Sequence, residues 1–387
     1  MSKGGRYLQK KPAGAGWKKG VVIAVVAVLV LAIVLASLAI LYIKGKFKLI
    51  NIVTPESKDY TQEEIDNIMQ YIPEDAVTYP VSDENEETEP TEETTEATEA
   101  PTEDPSAYDP GKLGKIVNIM VVGQAWRPGE EGKMSDSMIL CTINKETKTL
   151  TLTSFLRDTY IKLANYRDSG GKQHTCGNQR INVAYALGYS WGGAYDAMGM
   201  LNQTIYENFG VEVDYNVEVD FESFAKIVEV LGGLDIELTE AEADHMTNEL
   251  IGVGTFAPGM NHLTGEQALH YARIRKIDSD EARGNRQRKV VGILLNQMKS
   301  MSLTELNKLI DTVLPMITTN MSEEEITTCI VELLPLLPKL QMVSNQVPIE
   351  GTDCGTMREI YGVMSGVLVP NLQKNREALQ AICEDNE

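Results

Sequence analysis

The chain has no Cys-x-x-Cys pair, no Gly-x-x-x-x-Gly-Lys-Ser loop and no histidines at metal-ligand spacing. The first and third absences argue against a zinc site, and the second against nucleotide hydrolysis by a P-loop enzyme. No serine, histidine and acid stand in an arrangement that suggests nucleophilic catalysis by a triad. His174, His245, His262 and His270 are therefore read as surface or half-buried structural residues. Positive charge is scarce as well: 35 Lys and Arg stand against 56 Asp and Glu, for a formal net charge of -21. Five cysteines, Cys141, Cys176, Cys329, Cys354 and Cys383, are an odd number, so at least one is unpaired within a monomer. Cys141 lies in an apolar strand-like run and reads as a small buried hydrophobe, which leaves the other four for any bridge.

Against that acidic background, the stretch Arg273 to Gln287 gathers four arginines. A helix beginning near Glu281 puts Arg283, Arg286 and Gln287 on one face by the i, i+3, i+4 rule. Arg273 and Arg275, two apart, point the same way only where the chain is extended. Planar guanidinium forks suit phosphate oxygens better than ammonium groups do, so a phosphate or pyrophosphate is the natural ligand. The alternative is a salt-bridged surface helix with Asp278, Asp280 and Glu281 as partners.

Residues 1–20 carry Lys3, Arg6, Lys10, Lys11, Lys18 and Lys19 and no acid, and Val21 to Ile43 follow as an uncharged apolar run. At 1.5 Å per residue that run is long enough to cross a bilayer, and the basic flank predicts a cytoplasmic N-terminus with everything after Ile43 outside. The run extends past Ala36 and Ala39, which favours a retained single-pass anchor over a cleaved signal peptide. Residues 44–82 form a juxtamembrane segment, with a capping-box pattern from Thr61 to Glu64 that predicts a short helix to Tyr71. Residues 83–114 form an acidic linker. Its Asp83 to Pro105 portion is rich in Glu, Thr and Pro without a basic residue, a composition that cannot bury apolar area.

The folded domain is expected over 115–387. Ile116 to Val122 reads as a strand ending at Gly123, and Ser137 to Asn144 with Thr149 to Phe155 as a hairpin joined by Lys145 to Lys148. Asp220 caps a helix through Leu231, Gly232 and Gly233 end it, and Leu234 to Leu238 alternate as a strand. Thr264 caps the helix Glu266 to Tyr271. Helical spacing continues from Val290 to Met298, two more helical segments reach Pro335, a strand lies near Gln341 to Ile349, and a last helix starts at Asn371. Strands interleaved with helices predict an α/β domain, and the early hairpin excludes a purely parallel sheet.

Ser135, Asp136 and Ser137 stand just before one strand of the hairpin, and Ser154, Arg157 and Asp158 just after its partner. A carboxylate with arginines is a recurrent solution for phosphoryl transfer, the acid binding Mg²⁺ and the arginines neutralising charge on the transferred group. The other role open to Asp136 is that of a strand-end cap.

Taken in order, Ser135-Asp136-Ser137, Ser154-Phe155-Leu156-Arg157-Asp158, Arg180-Ile181-Asn182-Val183-Ala184-Tyr185, Val219-Asp220-Phe221, Leu231-Gly232-Gly233-Leu234-Asp235 and Leu263-Thr264-Gly265-Glu266-Gln267-Ala268-Leu269 lead into the arginine run. Over residues 115–300 this order resembles the LytR-CpsA-Psr (LCP) family. The resemblance implies an α-β-α sandwich around a central mixed β-sheet, preceded by one N-terminal transmembrane helix, with a deep apolar cleft for a polyprenyl chain. It also implies a Gram-positive cell-wall transferase. Such an enzyme takes an anionic glycopolymer, teichoic acid or capsule, from undecaprenyl pyrophosphate and joins it by a phosphodiester to the muramic acid 6-hydroxyl of peptidoglycan. Its expected partners are the lipid-linked polymer, peptidoglycan and the membrane, and no nucleic acid.

By motif position, Asp136 would bind Mg²⁺ or Mn²⁺, and Arg157, Arg275 and Arg283 would contact the pyrophosphate. Asp136, Arg157 and Arg275 are the catalytic candidates. Arg273, Arg286 and Gln287 complete the pyrophosphate rim, and Asp158 and Asp278 support it, Asp278 as a base or an arginine partner. Two positions depart from the family pattern: Ala125 stands where Asp is usual, and Met134 where Arg is usual before the Ser-Asp pair. Arg127 and Lys133 lie nearby in sequence. These departures raise a second reading, a catalytically weakened polyprenyl-pyrophosphate binding protein. Transcription attenuation, a role carried in some family names, is disfavoured by a topology that holds the domain away from DNA.

Overall fold

In the computed structural model the described residues are 47–55, 113–124, 135–250, 254–274, 277–301, 311–333, 335–360 and 363–383. The Val21–Ile43 run, the Thr61–Tyr71 helix, the acidic linker up to residue 112, Ala125, Met134 and Arg275 all lie outside them. Among the described residues no helix is long and apolar enough to cross a membrane.

In chain order the strands begin with β1 (Asn51–Ile52), β2 (Ile116–Gln124), β3 (Ser135–Asn144), β4 (Thr149–Phe155) and β5 (Tyr160–Lys162). They continue through β6 (Tyr166–Arg167), β7 (Gln173–His174), β8 (Asn178–Arg180), β9 (Tyr215–Asp220) and β10 (Leu234–Leu238). The last are β11 (Gly259–Leu263), β12 (Thr318–Thr319), β13 (Gln341–Val347), β14 (Asp353–Ile360) and β15 (Val363–Pro370). The main helices are α1 (Asn182–Phe209), α2 (Phe221–Val230), α3 (Glu240–Glu249), α4 (Gly265–Ala272), α5 (Asp280–Ser300), α6 (Glu323–Leu333) and α7 (Leu372–Cys383).

The central sheet has seven strands in the order β1-β12-β9-β2-β3-β4-β13. The expected hairpin is present, β3 antiparallel to β4, with the Asn144 side-chain oxygen accepting from the backbone N–H groups of Glu146 and Thr147 in the turn. The sheet is mixed: β2 and β9 are parallel, as are β4 and β13, while β2 and β3 are antiparallel. Alternation along the strands sorts side chains to two faces. Met120, Val122, Met138 and Leu140 pack with α1 and with Leu379 and Cys383 of α7. Ile139, Ile143, Leu150 and Leu152 face the other way, toward Val291 and Leu295 of α5 and Leu336 to Leu340. A third cluster joins α2, β10, β11, α4 and Val290 of α5.

Local signals explain where these pieces stop and start. Asp220 caps α2 by accepting from the Ser223 N–H at 2.7 Å, and Gly232 and Gly233 after it both take positive φ, at 85° and 94°. Thr264 and Gln267 form a reciprocal capping box on α4, as Thr239 and Glu242 do on α3. Two features exceed the sequence expectation. Asn51 and Ile52, placed by sequence in the juxtamembrane segment, pair in parallel with Thr318 and Thr319, and Val53 is buried in the core. A strand of two residues is too short to show alternation. All five cysteines are free, and Cys141 is half-buried rather than enclosed.

Candidate active site

Because β3 runs antiparallel to both β2 and β4, the strands β2, β9, β4 and β13 point the same way and end at one edge of the sheet. Register brings Gln124 opposite Ser135 on one side and Asp220 on the other, while Ser154 pairs with Gln346. Open α/β sheets bind ligands at that edge. Here, among the described residues, Gln124 Nε2, Ser135 Oγ and Ser154 Oγ are buried without a hydrogen-bond partner. Native structures leave few such groups, so orphans gathered at one edge mark a place that expects a polar ligand. Asp136 lies between Ser135 and Ser137 in β3, and its side chain is outside the described residues.

Just past β4, the Asp158 carboxylate stands 3.3 Å from the Nε of Arg157 and 3.3 Å from that of Arg180. Pairing of β5 with β8 sets Tyr160 opposite Arg180 and brings in this second arginine, which also donates to the Gly366 carbonyl at 3.1 Å. Arg180 was visible in sequence as part of the Arg180–Tyr185 motif but had no assigned role there. From the same motif, the Tyr185 hydroxyl donates to the buried Glu218 carboxylate and ties α1 to β9.

Beside this edge a cavity of about 320 Å³ opens between the sheet and helices α2, α4 and α5. Val121, Ile139, Val219, Phe224, Ile227, Leu269, Val290 and Leu294 give it an apolar interior, and Ser137, Asp220, Arg273, Arg283 and Gln287 supply its polar groups. One face of α5 carries both characters, Arg283 and Gln287 in its early turns and Val290, Val291 and Leu294 in the later ones. Ser279 caps this helix through the Ala282 N–H, and its first turns carry the positive end of the helix dipole. Arg273 ends α4 in helical rather than extended backbone, and its guanidinium lies 4.4 Å over the Phe221 ring.

Arg286 has a different place from Arg283. It is 3% exposed, and its Nε donates to Glu242 at 2.8 Å, Nη1 to the Ile274 carbonyl at 2.7 Å and Nη2 to Asp278. The expected rim contact is thus a buried strut between α5, α3 and the loop after α4, with Asp278 as its arginine partner. Burial pushes the Glu242 carboxyl upward, but the Thr239 N–H and Arg286 outweigh it and hold the group below its ordinary value. The sequence offered Asp278, Asp280 and Glu281 as partners; Glu242, 44 residues away, was not foreseeable from spacing. Among the described residues no cluster of three or more His, Cys, Asp or Glu could hold a metal ion.

The family model described as LytR_cpsA_psr matches residues 78–378. The chain belongs to the LytR_cpsA_psr family. It is 26% identical over 242 residues to the polyisoprenyl-teichoic acid–peptidoglycan teichoic acid transferase TagT of Bacillus subtilis (strain 168), covering 62% of this chain and 68% of that protein. A Bacillus anthracis (strain CDC 684 / NRRL 3495) relative named as the corresponding TagU enzyme is 30% identical over 214 residues, 54% of this chain and 62% of that protein. The match to that second relative therefore spans less than two thirds of its length. The fold is similar to the solved structure of TagT bound to LIIa-WTA, with a TM-score of 0.54 at 26% identity over 72% of this chain and 94% of that one. The mixed α/β architecture with a central mixed sheet is that of these LCP structures.

Proposed function

We propose that this LCP protein transfers an anionic glycopolymer, a teichoic acid or capsular polysaccharide, from an undecaprenyl-pyrophosphate carrier to peptidoglycan. One observation carries the reading: an apolar cavity whose polar groups include two guanidinium groups suits an amphiphile with a long apolar tail and a compact, highly charged head. The names of the TagT and TagU relatives support it. In the reaction, the peptidoglycan hydroxyl oxygen attacks the phosphorus that bears the polymer. The bond from that phosphorus to the bridging oxygen breaks, and lipid phosphate leaves with the electron pair as the hydroxyl proton is lost to solvent. Arg273 and Arg283, which line the cavity, with Arg157 and Arg180, held by Asp158, would neutralise the departing phosphate. Arg275 belongs to the same set by motif.

The donor set fits a hard cation shared with substrate better than a resident metal cage. Ser135 offers a buried oxygen without a partner among the described residues, next to Asp136 in the chain, and Mg²⁺ readily completes its shell with water and phosphate oxygens. Asp136 would hold Mg²⁺ or Mn²⁺, which when bound offsets pyrophosphate charge. Val21–Ile43 would anchor the chain in the cell membrane with the N-terminus inside, and residues 83–114 would stand the domain off the outer face.

Ala125 and Met134 favour a second reading, a polyprenyl-pyrophosphate binding protein with weakened catalysis. The full chain in detergent, supplied with lipid-linked polymer, peptidoglycan and Mg²⁺, is expected to release lipid phosphate and attach polymer. Tight donor binding without turnover, with turnover restored by Ala125→Asp and Met134→Arg together, would establish the second reading instead.

A further inference from the structure

Arg288 follows the arginine run and faces away from the lipid cavity. It is 6% exposed, and its Nη2 donates to the Asn285 side chain and to Gln346 Oε1 at 3.4 Å. Among the described residues its Nε and Nη1 have no hydrogen-bond partner. An enclosed guanidinium with idle donors is costly, and burial lowers its pKa although Glu281 acts in the opposite sense.

Gly284 lets α5 lie close to the end of β4: a Cβ there would stand 3.2 Å from Leu156 Cδ2, 3.4 Å from Arg288 Nη1 and 3.9 Å from Ser154 Cβ, which sets Arg288 and Ser154 on either side of one close contact. Ser154 Oγ, itself without a partner among the described residues, belongs to the orphaned edge where the phosphates of a donor are expected. On the outer side, Arg288 lines a groove of about 320 Å³ between α5 and β13, with Asn285, Asn296 and Ser344 over Leu152 and Met342. Idle cationic donors, a neighbouring idle hydroxyl and an open groove call for an anion rich in oxygen acceptors.

We propose that Arg288 is a further phosphate-binding residue, forming an anion subsite for the donor on the flank of α5 opposite the lipid cavity. This deepens the transferase reading and rests on it. The phosphate is either that of the lipid head or one within the polymer, because both present the same chemistry to a guanidinium.

The test uses the full chain in detergent as wild type, Arg288→Met and Arg288→Lys. Binding is measured to polymer-free polyprenyl pyrophosphate and, separately, to a short lipid-free polyol-phosphate oligomer, together with the unfolding temperature of the ligand-free protein. Arg288→Met is expected to raise that temperature, since it removes a buried charge with idle donors, and to weaken at least one probe by roughly tenfold or more. Arg288→Lys should fall between. Loss for the lipid probe places the subsite at the head group, and loss for the oligomer places it on the polymer. Unchanged affinity for both probes, or no binding of either by wild type, overturns the proposal. A lower unfolding temperature in Arg288→Met also overturns it, by assigning the guanidinium to its Asn285 and Gln346 contacts. Wild-type protein that binds a probe through Arg288 yet transfers no polymer removes the transferase reading alone.

Discussion

Arg283 and Arg286 stand one helical turn apart on α5, at 4% and 3% exposure, and their positions separate their roles. Arg286 is enclosed by two carboxylates and a carbonyl, whereas Arg283 lines the cavity. Arg283→Ala should weaken polyprenyl-pyrophosphate binding by roughly 10- to 100-fold, the scale of a lost charge-assisted hydrogen bond, with little change in unfolding temperature. Arg286→Ala should do the reverse. It leaves Glu242 buried without its cation, at a cost of about 3 kcal/mol in denaturant unfolding. The Glu242 carboxyl, held below its ordinary 4.5, contributes stability that is complete above that pH and is lost as pH falls through the folded value. Unfolding scans between about pH 3 and 7 should therefore show a shallower acid limb for Glu242→Gln than for wild type. An equal slope in the two proteins would show that the ion pair does not link protonation to folding.

At the scale of elements, the cavity lies between the sheet and α2, α4 and α5, and α4 packs closely on α2. Gly265 makes that packing possible: a Cβ there would come 2.1 Å from the Ala225 carbonyl oxygen, and its N–H donates to Glu229 at 2.7 Å. Held in that way, the helices leave Leu294 at the apolar part of the cavity. Leu294→Trp should fill this space and abolish binding of a long polyprenyl pyrophosphate while sparing inorganic pyrophosphate, as read by calorimetry with both ligands. Equal loss of both would mean that the residue supports the polar groups rather than the tail chamber. The longest helix, α1, escaped the sequence reading for a related reason. It is buried on nearly every side, so it has no polar stripe to reveal its period, and Gly193, at φ 74°, kinks it midway.

For the whole molecule, the proposed topology puts the folded body outside the membrane, where an exposed thiol can report on it. Cys354 is free and exposed, Cys176 is buried, and burial with nearby Glu207 pushes the Cys176 thiol up to about 11. A membrane-impermeant maleimide should thus label intact cells at Cys354, and Cys354→Ala should remove most of the signal. Labelling that appears only after lysis would reverse the orientation.

What the sequence determined by itself was short-ranged. Asp220 and Thr264 capped their helices, the paired glycines stopped α2, apolar runs marked β2 to β4 and alternation marked β10, because each signal needs only a few neighbouring residues. The order of motifs was enough to place the chain in its family. Tertiary structure decided which charges meet. Arg286 found Glu242, Asp158 gained Arg180 through the pairing of β5 with β8, and Asn51 reached Thr318 across 267 positions. Spacing along a chain fixes which side chains share a face, but the partners a guanidinium meets, and whether it lines a cavity, are set by the elements that folding brings against it.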